Sequence, residues 1–378
     1  MNTMSRKLPV FILLIMSAVA VYSQKSRVLS VIQLIESGKY SDAKEAIELA
    51  VWNDKTSGWG RTYYARGLLC QKAYEEGMEK KDDKLTSLYP DQLNVAYSSY
   101  VKALDLNPGN RVTSAIVSQY YALANDFQTL GTALYKRKQY SKAVEAFEHT
   151  LMVCSSPLIA VKVDTNLVYN TALAAFGAGD WDKAISYLTG LNDDRYSPGS
   201  ALLLYQAYIQ QGDSLEAEKV LYDAVEDYED DQELVLQLSD FLVREERMEE
   251  AIEVLDNACL GHPENPLFPW TRGLIYEKLG MYQEAIHSLN LALQESPEEA
   301  GINYGLGICY YNLGVSSEEK ALVITDREQY QTVREEARRQ FMQAVEYLEK
   351  TRELDPEFPD VASRLVLLEH HLQLDRER

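Results

Sequence analysis

The chain has 378 residues, 46% of them apolar and 25% charged, which is enough apolar material for a continuous core and excludes wholesale disorder. Its formal net charge is -21. Nucleic acids and anionic membrane surfaces are poor partners for such a chain, because neutralising phosphates takes a basic face.

Residues 1 to 23 read as a secretory signal peptide: Arg6 and Lys7 precede the uncharged, largely apolar stretch Leu8 to Val21. As a helix that stretch spans about 21 Å against about 30 Å of bilayer hydrocarbon, too short for a comfortable anchor. Cleavage between Ser23 and Gln24 leaves a polar start and an exported product, expected in the periplasm or cell envelope. No stable membrane insertion is expected after cleavage. The alternative is an uncleaved segment on a cytoplasmic regulator.

Beyond it, four segments follow one template: Gly38 to Ala43, Lys138 to Ala143, Gly179 to Ala184 and Gly280 to Ala285. Each is a turn, an aromatic, and a helix start carrying Ala. A large residue follows that Ala at +4, as in Phe147, Leu188 and Leu289, which is helical spacing with one inward face. The register continues through Ala43, Ala96, Ala143, Ala184, Ala217, Ala251, Ala285 and Ala344. Its central intervals are nearly equal at about 34 residues. Small residues there let two helix axes approach to about 8 to 10 Å. Pro108, Pro263, Pro297 and Pro356 are placed to end the second helices.

On these motifs the chain resembles the tetratricopeptide repeat family, as found in exported envelope proteins of Gram-negative bacteria. The resemblance implies an all-α fold: a right-handed superhelical α-solenoid of about eight helix-turn-helix repeats over residues 24 to 359. Two repeats depart from the pattern, with Tyr205 where a small residue is expected and Glu246-Arg247-Met248 in place of the aromatic turn. Insertions are expected at about 76 to 90 in repeat two and 315 to 334 in repeat eight, with a linker from Cys154 to Asp164. Residues 360 to 378 close the array with a capping helix and tail, Val361, Leu365, Leu368 and Leu372 forming its apolar stripe.

No motif for catalysis, phosphate binding, metal or cofactor appears. The five histidines lack ligand spacing, and Cys70, Cys154, Cys259 and Cys309 are too scattered for a disulfide framework, so buried free thiols are expected. The acidic run Asp227 to Glu233 reads as capping and solvation.

The family resemblance implies that first helices line a concave face holding a protein or peptide segment. Counting back from the register Ala places Tyr64, Leu68, Gln128, Tyr135, Tyr169, Asn170, Phe176, Gln206, Asp240, Trp270, Leu274, Tyr304 and Tyr311 on that face. They are either ligand anchors or inter-helix core, and both readings stand. Lys136 and Asn170 are isolated from one another, which speaks against a carboxylate clamp along the face and for apolar or aromatic ligand segments. The expected function is an envelope scaffold binding a protein partner, with a structural subunit working through solenoid ends and insertions as the alternative.

Overall fold

The computed structural model describes residues 25–106, 110–159, 161–229 and 231–377, so the expected signal peptide lies outside the described residues. Among the described residues there is no strand, and no helix is long and apolar enough to cross a membrane. The chain divides into two compact units, one ending at Asp194 and one beginning at Arg195.

The first unit holds α1 (25–36), α2 (Tyr40–Val51), α3 (Gly60–Lys80), α4 (Asp83–Thr86), α5 (Gln92–Leu106), α6 (Asn110–Lys136), α7 (Tyr140–Cys154), α8 (Thr165–Ala178) and α9 (Trp181–Asp193). The second holds α10 (Pro198–Gln211), α11 (Ser214–Asp227), α12 (Gln232–Arg244), α13 (Met248–Gly261), α14 (Leu267–Lys278), α15 (Tyr282–Glu295), α16 (Ala300–Ala321), α17 (Arg327–Leu354) and α18 (Val361–Glu377). They pair as hairpins: α1 with α2, α3 with α5, then each neighbouring pair from α6/α7 to α16/α17.

Six hairpins share one turn. Its central residue sits in the left-handed region: Gly38, Lys138, Gly179, Gly212, Glu246 and Gly280, with φ between 58° and 86°. The next amide reaches back to close the first helix, as in Gln139 to Leu134 (3.0 Å), Arg247 to Leu242 (2.9 Å) and Met281 to Tyr276 (2.9 Å). This six-to-one bond is a Schellman closure, and it satisfies a carbonyl that the helix end leaves free. Glu246 shows why repeat six belongs to the series without its glycine: the backbone is the same and only the residue differs.

All eight register alanines are 0% exposed. The large residue at +4 fits onto a glycine of the hairpin's first helix. A Cβ on Gly67, Gly131, Gly273 or Gly307 would lie 2.6 to 2.8 Å from Tyr100, Phe147, Leu289 or Leu348 respectively. The glycines are thus seats for the +4 side chains, and the close axis approach follows from both small residues together. In repeat five the position of the glycine holds Tyr205, which is buried and meets Phe241 of α12 edge-on at 6.2 Å.

The two insertions become helix rather than loop. In repeat two, α3 is prolonged to Lys80 and α4 folds back so that Leu85 and Thr86 lie against Gly77. In repeat eight, α16 and α17 run 22 and 28 residues, against 12 to 14 in α10 to α15. Val361, Leu365 and Leu368 of α18 share a core with Phe341, Ala344 and Leu348 of α17, which gives α18 the capping role within its unit. The second helices end at Leu106, Gly261, Glu295 and Leu354, just before the expected prolines, of which Pro108 lies outside the described residues. Cys154 ends α7 and Asp164 caps α8, so the linker falls between them.

Candidate interaction face

In the second unit the first helices α14 and α16 are neighbours, and each turns one side away from its hairpin core. On α14, Gly273 faces Leu289 of α15, while the adjacent Leu274 is 44% exposed and Trp270, one turn earlier, is half-buried. The Trp270 ring passes under Gly301 at the start of α16, and its indole N–H has no acceptor. On α16, Tyr304 packs on Phe358 with ring centroids 4.9 Å apart. Two turns on, Tyr311 lies beside the stacked pair Phe341 and His371, at 6.0 Å from each, with the Arg364 guanidinium 5.8 Å over its face. Burial raises the Glu277 carboxyl above its ordinary range, and the charge of Arg364 opposes that shift.

The first unit is less open. Leu68 is buried, which corrects its assignment to the face: it belongs to the hydrophobic core of that unit. Tyr64 is half-buried against Tyr100 at 6.2 Å, and it helps line an apolar cleft of about 190 Å³ between α1, α3 and α6. Tyr135 and Phe176 meet Tyr140 and Trp181 edge-on at 5.3 and 5.2 Å. Gln128 and Tyr169 are half-buried, while Asn170 is exposed. In α10 and α12, Gln206 and Asp240 are exposed, Asp240 pairing with Arg244 at 2.6 Å.

The aromatic positions are therefore shared: each ring is held on one side by the core and open on the other. Such rings are pre-ordered, so covering them removes apolar area from water with little further loss of rotamer freedom. Two carboxylates of the acidic run take structural roles. Asp231 caps α12 through the Leu234 amide (3.0 Å), and Asp227 pairs with Arg195 (2.5 Å). All four cysteines are free; Cys70 and Cys309 are buried with thiols pushed up to about 12, whereas Cys154 and Cys259 are only half-buried. Among the described residues no group of three His, Cys, Asp or Glu side chains could hold a metal. Beside α4 lies a cavity that no sequence motif marks.

The chain is similar to several solved structures. A TPR repeats protein (BF2334) of Bacteroides fragilis NCTC 9343 shares 16% identity over 65% of this chain and 98% of that one, with a TM-score of 0.35. MamA of Desulfovibrio magneticus RS-1 shares 17% over 52% and 97%, at 0.36. YrrB, described as a TPR protein with an unusual peptide-binding site, shares 18% over 53% and 91%, at 0.36. The hairpin pairing and shared turns, rather than these likenesses, carry the repeat assignment. No curated protein matches the sequence. A family model does match, over residues 102–299, just over half of the chain, and the chain accordingly belongs to the ChAPs family, the Chs5p-Arf1p-binding proteins.

Proposed function

We propose that this protein is a non-catalytic scaffold that holds a protein or peptide segment on the face formed by its first helices. The observation that carries the reading is the run Trp270, Leu274, Tyr304 and Tyr311 on adjacent helices of one unit, each partly exposed and apolar. Membership in a family named for binding other proteins supports it. Leu274→Arg places an unpaired charge at the centre of that face without touching the core. Association with a partner recovered from the native host is expected to be lost in Leu274→Arg and kept in Leu291→Arg, a partly exposed position on the second helix α15.

A second reading has its own observation. At the tip of the prolonged α16/α17 hairpin, Leu322 and Val323 are 80% and 81% exposed. A structural subunit assembling through its insertions would use them. Association lost in Leu322→Asp with Val323→Asp, but kept in Leu274→Arg, would favour this alternative.

Export to the envelope is proposed on Arg6, Lys7 and the stretch Leu8 to Val21. N-terminal sequencing of the mature protein is expected to begin at Gln24. A start at Met1 would instead favour the alternative of a cytoplasmic regulator or an uncleaved anchor.

A further inference from the structure

The insertion of repeat two, together with α3, α5, α6 and α7, borders a half-open cavity of about 340 Å³ in the first unit. That volume lies in the range of small-ligand sites. Its wall is apolar along Leu93, Phe127, Leu130 and Leu134. One end is formed by the start of α5. The amides of Gln92, Leu93 and Asn94 open the 15-residue helix α5 and donate to no protein acceptor. Asp91, at φ 48°, accepts the Val95 amide through its carbonyl, but its carboxylate caps none of the three. The Gln92 side chain is committed elsewhere, to the carbonyls of Cys70 and Leu85 and the amide of Tyr89. An uncapped helix N-terminus attracts an anion.

Two further groups point the same way. Tyr74 forms part of the wall, is only 7% exposed, and its hydroxyl has no partner. Lys142 stands at the rim with no ion-pair partner. The rim also carries the carboxylates of Asp91 and Glu145, both on exposed residues where water screens their charge. The Asn94 side-chain oxygen is unpaired, and a half-turn of its amide presents the NH₂ instead.

We propose that this cavity binds a carboxylate carried on an apolar body. The carboxylate meets the α5 amides, the Tyr74 hydroxyl and Lys142, and the apolar part lies along Leu93, Phe127, Leu130 and Leu134. The site belongs to the first unit, and the proposal does not depend on the face that α14 and α16 form in the second. The same chemistry is offered by a free acyl carboxylate and by an apolar residue at the end of a polypeptide.

Titration calorimetry on the full chain tests it, using octanoate, octanol, acetyl-Ala-Ala-Leu as free acid, and the same tripeptide as its amide. One-site binding of octanoate, the tripeptide acid or both is expected, with neither neutral analogue saturating. Octanoate alone identifies a free acyl ligand, and binding of the tripeptide acid identifies a chain terminus. Lys142→Glu, at an exposed position that leaves folding intact, is expected to weaken binding about tenfold. Tyr74→Phe, which keeps the ring, is expected to weaken it by a smaller factor. The proposal is overturned if neither carboxylate binds, if the neutral analogues bind equally, or if Lys142→Glu leaves affinity unchanged.

Discussion

Gly131→Ala tests the seat-and-knob packing of the repeat most sharply. An added Cβ would lie 2.6 Å and 2.7 Å from ring carbons of Phe147, inside the distance that real contacts tolerate. Phe147 is itself buried against α6, so the ring has no free space to enter. Such overpacking costs ~1–3 kcal/mol. Alanine also favours helix over glycine by ~1 kcal/mol, which partly hides the clash. Gly190→Ala supplies the control: Gly190 is exposed in α9 with nothing within 4 Å, so that variant gains propensity and meets no clash. The difference between the two variants isolates the packing cost at ~1–3 kcal/mol. Urea unfolding followed by far-ultraviolet circular dichroism gives both midpoints, with Gly190→Ala above the parent and Gly131→Ala below Gly190→Ala. Phe147→Leu added to Gly131→Ala should cost less than its effect in the parent, because the two sites share one contact. Equal stabilisation by the two alanines would refute the packing.

Lys138→Gly and Glu246→Gly relieve left-handed backbone at φ 58° and 60°, and each is expected to raise the thermal midpoint by the equivalent of up to ~1 kcal/mol. Gly179→Ala at φ 72° should lower it. Asp126 is buried, and desolvation followed by the charge of Glu75 raises its carboxyl from 3.8 to about 7, against the weaker pull of Gln71 and Lys72. A folded pKa above the unfolded one means that the folded state holds the extra proton between those values, so stability falls as pH rises through about 7. Urea midpoints on the acid and alkaline sides of neutrality should differ in that direction, and Asp126→Asn should flatten the difference. Maleimide labelling of the native protein is expected to modify Cys154 and Cys259 readily and to leave Cys70 and Cys309 unmodified until unfolding.

The repeat was legible because its signals are local. A turn residue, an aromatic, an Ala and a large residue at +4 all act within one hairpin, and every register Ala proved fully buried. Glu246 carries the same turn without its glycine, so spacing found repeat six where residue type did not. Exposure on the interaction face was harder to read, because it depends on what the next hairpin covers. Leu68 and Leu274 both follow a glycine seat, yet one is buried and the other open. Tyr304 and Tyr311 are half-covered by Phe358, Phe341 and His371, contributed by the segment before α18, α17 and α18. The cavity at α5 was beyond sequence reading altogether. It is assembled by an insertion that belongs to no repeat, and its open amides depend on the backbone turn at Asp91.

Site-resolved crosslinking in the native host tests the scaffold reading most directly. A photoreactive residue replaces Leu274 on the first helix α14, and in parallel replaces Leu260 or Leu215, which are 82% and 80% exposed on the second helices α13 and α11. If the first-helix face holds the partner, Leu274 yields a crosslinked polypeptide, identifiable by mass spectrometry, that the two control positions do not. The same polypeptide captured from Leu260 or Leu215, with none from Leu274, would contradict it.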